Sequence, residues 1–151
     1  MITFLRSERS DAKEILELQK LAYQEEARIY HDFFIPPLVQ PLADLEDEYG
    51  THLFLKVLWH RQIIGSVRAY TKDGTCHIGR LIVHPDHQDR GIGTQLMHRI
   101  EAEFPDCHRF ELFTGTRSEK NLGLYRKLGY RIFRYEKLND NVELAYLEKV
   151  R

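Results

Sequence analysis

The fold is decided by residues 79–96, which read GRLIVHPDHQDRGIGTQL. The apolar run at residues 81–83 is typical of a buried strand, and Pro85 ends it because proline has no N–H to give to a strand ladder. Apolar residues then recur at helical spacings of three and four, at Leu96, Met97, Ile100 and Phe104. A strand, a glycine loop and a helix start predict a phosphate site, because the loop N–H groups and the positive end of the helix dipole point at one place.

Two glycines alone do not identify the ligand. A dinucleotide-binding fingerprint needs a third glycine where Leu96 stands, and a P-loop needs Gly-Lys-Ser or Gly-Lys-Thr where the chain has Gly93 followed by Thr94. Both mismatches disfavour a nucleotide-binding protein. On these residues alone, a helix start without any ligand stays open.

The loop also has a more specific form. Gln88, Gly91 and Gly93 make the pattern Q-x-x-G-x-G, and L-x-V-x-P precedes it. This pattern resembles the acetyl-coenzyme A binding motif of the GNAT superfamily of N-acetyltransferases. Residues 121–130, NLGLYRKLGY, are similar to that family's second motif and follow in the right order.

Composition predicts an ordinary globular protein, with 42% hydrophobic and 30% charged residues. We expect a single domain over residues 1–151. The net charge of −1 gives no field that would recruit nucleic acid or an anionic membrane. Neither a signal peptide nor a membrane span is indicated, and Cys76 and Cys107 are interpreted as reduced thiols, so we expect a cytoplasmic protein.

Periodicity and turn residues give an order of elements. We expect a strand near residues 2–6, helices over about 10–30 and 42–49, and strands over 52–59, 62–71 and 75–83. A helix over about 93–104, a strand over 109–114, a helix over 118–127 and a hairpin of residues 130–136 and 142–148 follow. In the first helix, Ser10 or Asp11 is the expected N-cap, and Glu14 is near the position that a capping box requires. Leu21 is expected on the apolar stripe of this helix and Gln19 on its wet, solvent-facing side. The resemblance implies an α/β fold with a mixed, mostly antiparallel sheet whose fourth and fifth strands splay apart to admit the pantetheine arm.

The resemblance also implies which residues hold acetyl-CoA as co-substrate. Strand backbone contacts the pantetheine, the glycine loop holds the pyrophosphate, and the second motif supplies further contacts. Many relatives have an asparagine seven residues before the tyrosine of the second motif, where this chain has Ser118, so Ser118 and Asn121 both stay open as the pantetheine contact. The predicted cofactor-binding residues are Leu81, Ile82, Val83, Gln88, Asp89, Arg90, Gly91, Ile92, Gly93, Thr94, Ser118, Asn121 and Tyr125.

Three residues are the predicted catalytic groups. In many relatives the tyrosine equivalent to Tyr125 donates a proton to the leaving thiolate, and a phenol with a pKa near ~10 is protonated for that task. His77 is the first candidate for the base that takes the amine's proton, since relatives carry glutamate or histidine there and imidazole titrates near ~6.5. Glu111 on the neighbouring strand is the second candidate, and Glu25 and Glu26 are the third.

The sequence thus predicts an N-acetyltransferase that moves acetyl to a primary amine by direct attack in a ternary complex. The alternative is a non-catalytic acyl-CoA-binding sensor or subunit. No metal is implied by the spacing of the eight histidines. Acceptors from small-molecule amines to protein amines stay open, as does a homodimer.

Overall fold

The computed structural model describes residues 1–151 and has seven strands in one sheet, in the order β1-β2-β3-β4-β5-β7-β6. All neighbouring strands are antiparallel except β4 and β5, which are parallel. The predicted mixed, mostly antiparallel sheet is therefore confirmed. The strands are β1 Ile2–Arg6, β2 Leu53–Trp59, β3 Gln62–Lys72, β4 Thr75–Val83, β5 Arg109–Gly115, β6 Arg131–Lys137 and β7 Glu143–Val150.

Six α-helices flank the sheet: α1 Ala12–Ala22, α2 Gln24–Tyr30, α3 Pro36–Val39, α4 Leu42–Glu48, α5 Ile92–Ala102 and α6 Glu119–Lys127. None of these helices has the length and apolar character needed to cross a membrane. The larger core packs α5 and α6 on one face of the sheet, around residues such as Phe110 and Leu96. The smaller core packs α1 and α4 on the opposite face, around Ile15 and Phe54.

The parallel pair β4–β5 is joined only at one end. Thr75, Cys76 and His77 pair with Arg109, Phe110 and Glu111, and no pairing continues beyond them. β4 goes on to Val83 and β5 to Gly115, so the two strands diverge over the rest of their length. This is the splay that the resemblance implied, and it leaves one backbone edge of each strand facing a gap.

The first helix differs from its prediction because it is two helices. α1 ends at Ala22, Tyr23 caps it outside helical geometry (φ −87°, ψ 2°), and α2 begins at Gln24. The predicted capping box is also wrong. The Asp11 carboxylate accepts the backbone N–H of Glu8 at 2.8 Å, whereas Glu14 accepts the N–H of Ile63 on β3 at 2.8 Å.

Gln19 was predicted on the wet face of α1 and is instead 0% exposed. Its amide oxygen accepts from Arg68 at 3.1 Å, and its amide nitrogen donates to the carbonyl of Pro37 at 2.9 Å. The reason is Arg68, a 4% exposed guanidinium on β3 that needs acceptors under the helix. Leu21, predicted on the apolar stripe, takes the outer position and is 44% exposed.

Helix α2 is anchored to the end of β5 by Tyr30. A Cβ on Gly115 would lie 1.9 Å from the Tyr30 hydroxyl oxygen, so only glycine lets the ring approach the strand. The hydroxyl accepts the backbone N–H of Arg117 at 2.9 Å and lies 2.7 Å from the Ser118 oxygen. These contacts fix α2 against the segment that joins β5 to α6.

Candidate active site

The gap between β4 and β5 opens into a cavity of about 830 Å³. Residues from both diverging strands line it, including Ile78 and Leu112, which directly follow the last paired residues. Backbone groups buried without partners are costly, so a strand edge that faces a cavity is a natural place for a ligand with amide groups. The predicted cofactor-binding residues that line it are Leu81, Ile82, Val83, Gln88, Asp89, Gly91, Ile92, Gly93, Thr94, Ser118, Asn121 and Tyr125; Arg90 does not.

One end of the cavity is closed by the glycine loop. Gly91 has a left-handed backbone (φ 78°) directly before α5, and a Cβ there would meet nothing within 4 Å. Gly93 differs, since a Cβ there would make ordinary contact with Leu124 at 3.6 Å. Gly91 is thus needed for its conformation, and it leaves the start of a long helix open toward the cavity, which suits a pyrophosphate.

Lys120 adds a positive charge beside this loop. Its ammonium lies 3.0 Å from an Asp89 carboxylate oxygen and 3.2 Å from the Gln88 amide oxygen. The Gln88 amide in turn donates to the carbonyl of Val83 at 3.2 Å, which ties the loop to the end of β4. The loop that the motif predicted is therefore held in place from both sides.

Tyr125 lies in the middle of the cavity wall and is 7% exposed. Burial is the main cause that raises the pKa of its phenol, and the neighbouring Tyr23 and Glu26 raise it further. The phenol therefore stays protonated across the physiological range and can act as a proton donor.

Glu26 faces the same cavity from α2 and is the end of a chain of hydrogen bonds. Because the Arg117 N–H donates to the Tyr30 oxygen, the Tyr30 hydroxyl can donate to Ser118, and the Ser118 hydroxyl donates to Glu26 Oε2 at 2.5 Å. Asn121 Nδ2 donates to the other carboxylate oxygen at 3.2 Å. Aligned donors of this kind polarise one another and fix the carboxylate's orientation.

The same surroundings set the acidity of Glu26. Burial is the largest cause and raises the pKa of the carboxyl above its ordinary value, the Ser118 hydroxyl opposes this, and the nearby Glu25 raises it again. A carboxylate with a raised pKa binds a proton more readily than a surface carboxylate does. Glu26 is therefore a suitable group to receive a proton from an ammonium in the cavity.

The structure brings His77 and Glu111 together, but outside the cavity lining. They are paired residues at the closed end of the gap, with His77 Nδ1 3.7 Å from a Glu111 carboxylate oxygen. The His77 ring stacks on Tyr70 at 4.9 Å, and Glu111 also binds Arg109 at 2.9 Å. His77 and Glu111 thus have partners within the sheet, whereas Glu25 and Glu26, the third candidates, both line the cavity. Glu25 is exposed and pairs with Arg28 at 2.7 Å, which leaves Glu26 as the more buried candidate.

Arg80 is a cavity residue that the sequence analysis did not single out. It sits in a β-bulge, since Arg80 and Leu81 together oppose Val67 between the pairs Arg68–Gly79 and Ser66–Ile82. Its backbone is left-handed (φ 49°), which is rare for a residue with a side chain. The sequence feature that could have marked Arg80 is an arginine within an otherwise apolar run of strand residues.

The comparisons with known proteins agree with this geometry. Residues 12–130 match the model of the acetyltransferase (GNAT) family, and the chain belongs to that family. The family that the two motifs predicted is thereby confirmed.

The chain resembles parts of two known proteins. It is 29% identical over 131 residues to the UPF0157 protein YqkA of Bacillus subtilis, covering 86% of this chain and 38% of that protein. It is 38% identical over 50 residues to the L-amino acid N-acyltransferase MnaT of Escherichia coli, covering 32% of this chain and 29% of that protein. The chain thus matches well under half the length of either relative.

Solved structures share the fold over nearly the whole chain. The PaiA N-acetyltransferase of Thermoplasma acidophilum, in complex with coenzyme A, superposes with a TM-score of 0.85 at 17% identity, covering 100% of this chain and 99% of that one. The ribosomal-protein-S18-alanine N-acetyltransferase of Escherichia coli superposes with a TM-score of 0.81 at 13% identity, covering 99% and 94%.

A matched pair of substitutions at Gly91 tests the phosphate site. Asn and Asp both tolerate a left-handed backbone and can cap a helix, but only Asp adds a negative charge where phosphate is expected. Wild type should gain about 2.7 kcal/mol of stability at a hundredfold excess of coenzyme A over its dissociation constant. We expect Gly91→Asn to keep most of the thermal shift and Gly91→Asp to lose it. Equal shifts in the two variants would place the phosphates elsewhere.

Proposed function

We propose that this protein transfers acetyl from acetyl-CoA to a primary amine by direct attack in a ternary complex. The observation that carries the proposal is the continuity of one cavity from the glycine loop to Tyr125 and Glu26. A cavity lined by a phosphate site, a proton donor and a proton acceptor suits a coenzyme that carries a reactive thioester. Both substrates then fit at once, as direct attack requires.

The coenzyme is proposed to complete the sheet. Its pantetheine amides would bond to the unpaired backbone edge of β4 beside Leu81, Ile82 and Val83, and residues 88–94 would hold the pyrophosphate. Asn121 is favoured over Ser118 as the side-chain contact to the pantetheine, because Ser118 is 2% exposed and its hydroxyl is used by Tyr30 and Glu26. The coenzyme supplies an acyl group activated as a thioester.

Glu26 is proposed to make the acceptor nucleophilic. An amine arrives at neutral pH mostly as an ammonium, which has no lone pair to attack a carbonyl. The oriented carboxylate can accept one of its protons, and the neutral amine then stands beside the thioester. Burial assists this transfer, because it disfavours both charged partners relative to the neutral pair.

Tyr125 is proposed to act at the other end of the reaction. When the carbon–sulfur bond breaks, the electron pair goes to sulfur, and the phenol can donate its proton to the resulting thiolate. A raised phenol pKa would make the donor weak in water, but a thiolate in the same buried site is also destabilised as an anion. The attacking nitrogen loses a second proton as the amide forms, and this proton restores the phenol, so the proton taken up by Glu26 is the one finally released to solvent.

Replacement of Tyr125 by Phe tests the donor, because it keeps the ring and removes only the hydroxyl. We expect turnover, measured as thiol release, to fall by about 10²- to 10⁴-fold with little change in coenzyme affinity. Tyr135→Phe, an exposed tyrosine outside the cavity, is the control and should be neutral. A loss in Tyr125→Phe below about threefold would leave Tyr125 with a packing role only.

Three carboxamide variants test the base: Glu26→Gln, His77→Gln and Glu111→Gln. A base must be ionised to accept a proton, so the wild-type rate should fall as pH drops through the raised pKa of Glu26, above the ~4.3 of an ordinary glutamate. We expect only Glu26→Gln to lose about 10²-fold or more in turnover and to lose that acidic limb. If His77→Gln removes the limb while Glu26→Gln keeps it, the base is His77, as the sequence predicts.

A further inference from the structure

Arg80 is a positive charge in the cavity that the proposed chemistry does not use. Its Nε is buried and has no hydrogen-bond partner, and no carboxylate of the chain forms an ion pair with it. The nearby Arg68 is itself paired, with its Nε 3.0 Å from a Glu48 carboxylate oxygen. Burial lowers the pKa of Arg68 to about 10, Glu48 opposes this, and the charge of Arg80 lowers it further. Arg80 is therefore a second guanidinium near Arg68 that lacks a carboxylate partner.

The position of Arg80 is maintained against its own backbone preference. A left-handed conformation is strained at a residue with a side chain, and bulges next to active sites commonly redirect a side chain. A glycine at position 80, or a regular strand without the bulge, would remove this strain. Within the chain this charge has the Tyr23 hydroxyl but no carboxylate as a partner, and an anionic ligand would compensate it.

The polar neighbours of Arg80 lie on the face of the sheet that α1 covers. These neighbours are Tyr23, at the junction of α1 and α2, and Arg68, which bonds to α1. The helix that follows the phosphate loop, α5, packs on the other face of the sheet. A phosphate of the coenzyme is therefore not the natural partner of this guanidinium.

Tyr23 links Arg80 to the proposed base. Burial raises the pKa of the Tyr23 hydroxyl, the charges of Arg80 and Arg68 and a hydrogen bond with the Arg80 side chain lower it, and the charge of Glu26 raises it. Tyr23, Arg80 and Glu26 all line the cavity. The wall beside them is apolar and is built by α2, the segment before α3, and the β6–β7 hairpin. Its side chains are Ile29, Ile35, Leu138, Val142 and Leu144.

From this arrangement we infer that the acceptor is an α-amino acid with an apolar side chain. Its ammonium faces Glu26, its carboxylate forms an ion pair with Arg80, and its side chain packs on the apolar wall. A guanidinium binds a carboxylate through two parallel hydrogen bonds, which also fixes the amine relative to the thioester. This inference rests on the proposed function and narrows its acceptor.

Three acceptors that differ only at the carboxylate test the inference: L-leucine, L-leucinamide and 3-methylbutylamine. With wild type we expect kcat/KM for leucine to exceed that of the other two by about tenfold or more, since a hydrogen bond to a charged group contributes ~1.5–3 kcal/mol. Arg80→Gln should lower kcat/KM for leucine by at least that factor and leave leucinamide almost unchanged. Arg80→Lys should recover part of the loss. Arg28→Gln, which removes an exposed arginine of α2 outside the cavity, is the charge control.

Other outcomes distinguish a failure of the carboxylate role of Arg80 from a failure of the proposed function. If wild type acetylates leucinamide or 3-methylbutylamine as fast as leucine, or if Arg80→Gln slows all three alike, the carboxylate role of Arg80 is wrong while the proposed function stands. If no amine in a wider panel that includes spermidine and an alanine peptide releases thiol, the proposed function itself fails. Folding is checked by thermal unfolding of Arg80→Gln without ligand. We expect no loss of stability, because the substitution removes an unpaired charge, and a large loss would mark Arg80 as structural.

Discussion

The structure depends on the point where β4 and β5 stop pairing. Beyond His77 and Glu111 the two strands share no hydrogen bonds, and a cavity of about 830 Å³ takes the place of the ladder. An open seam in the middle of a sheet would ordinarily be filled by side chains or by another strand. Here the cavity is lined by α2, which Tyr30 fastens to the end of β5 at Gly115. The cost of the unpaired edges is recovered only when a ligand with its own amides occupies the seam.

The hydrogen bonds around Ser118 connect the seam to the chemistry. The segment that carries Ser118 holds Tyr30 and Glu26 of α2 together, while Asn121 on α6 holds the second carboxylate oxygen. The hydrogen bonds that fasten α2 to the segment after β5 therefore also orient the proposed base. Arg80 is a second case of a costly arrangement. A bulge with a left-handed backbone holds its positive charge in the cavity, although no carboxylate of the chain pairs with it. Local strain that lowers the stability of the fold is typical of residues that serve in binding.

Sequence reasoning succeeded where the signal was local. The glycine loop, the strand before it and the order of elements follow from periodicity and turn residues within short windows. It failed where a partner distant in sequence decides the outcome. Gln19 is buried because Arg68 lies beneath it, and Glu14 serves Ile63 on β3 rather than its own helix. Glu26 gains its position through Ser118, and Arg80 through a bulge that no residue pattern marks. Residue type alone therefore gave His77 more weight than Glu26, although only Glu26 lines the cavity.

The central claim is that the coenzyme occupies the seam between β4 and β5, and amide-resolved hydrogen exchange tests it most directly. With saturating coenzyme A, the amides of residues 78–83 and 112–115 that face the gap should exchange more slowly, because the pantetheine takes the place of the missing strand. Amides of the β1–β2 pair should exchange as before. Slowing confined to another surface, or no slowing in the gap at saturation, would contradict the account.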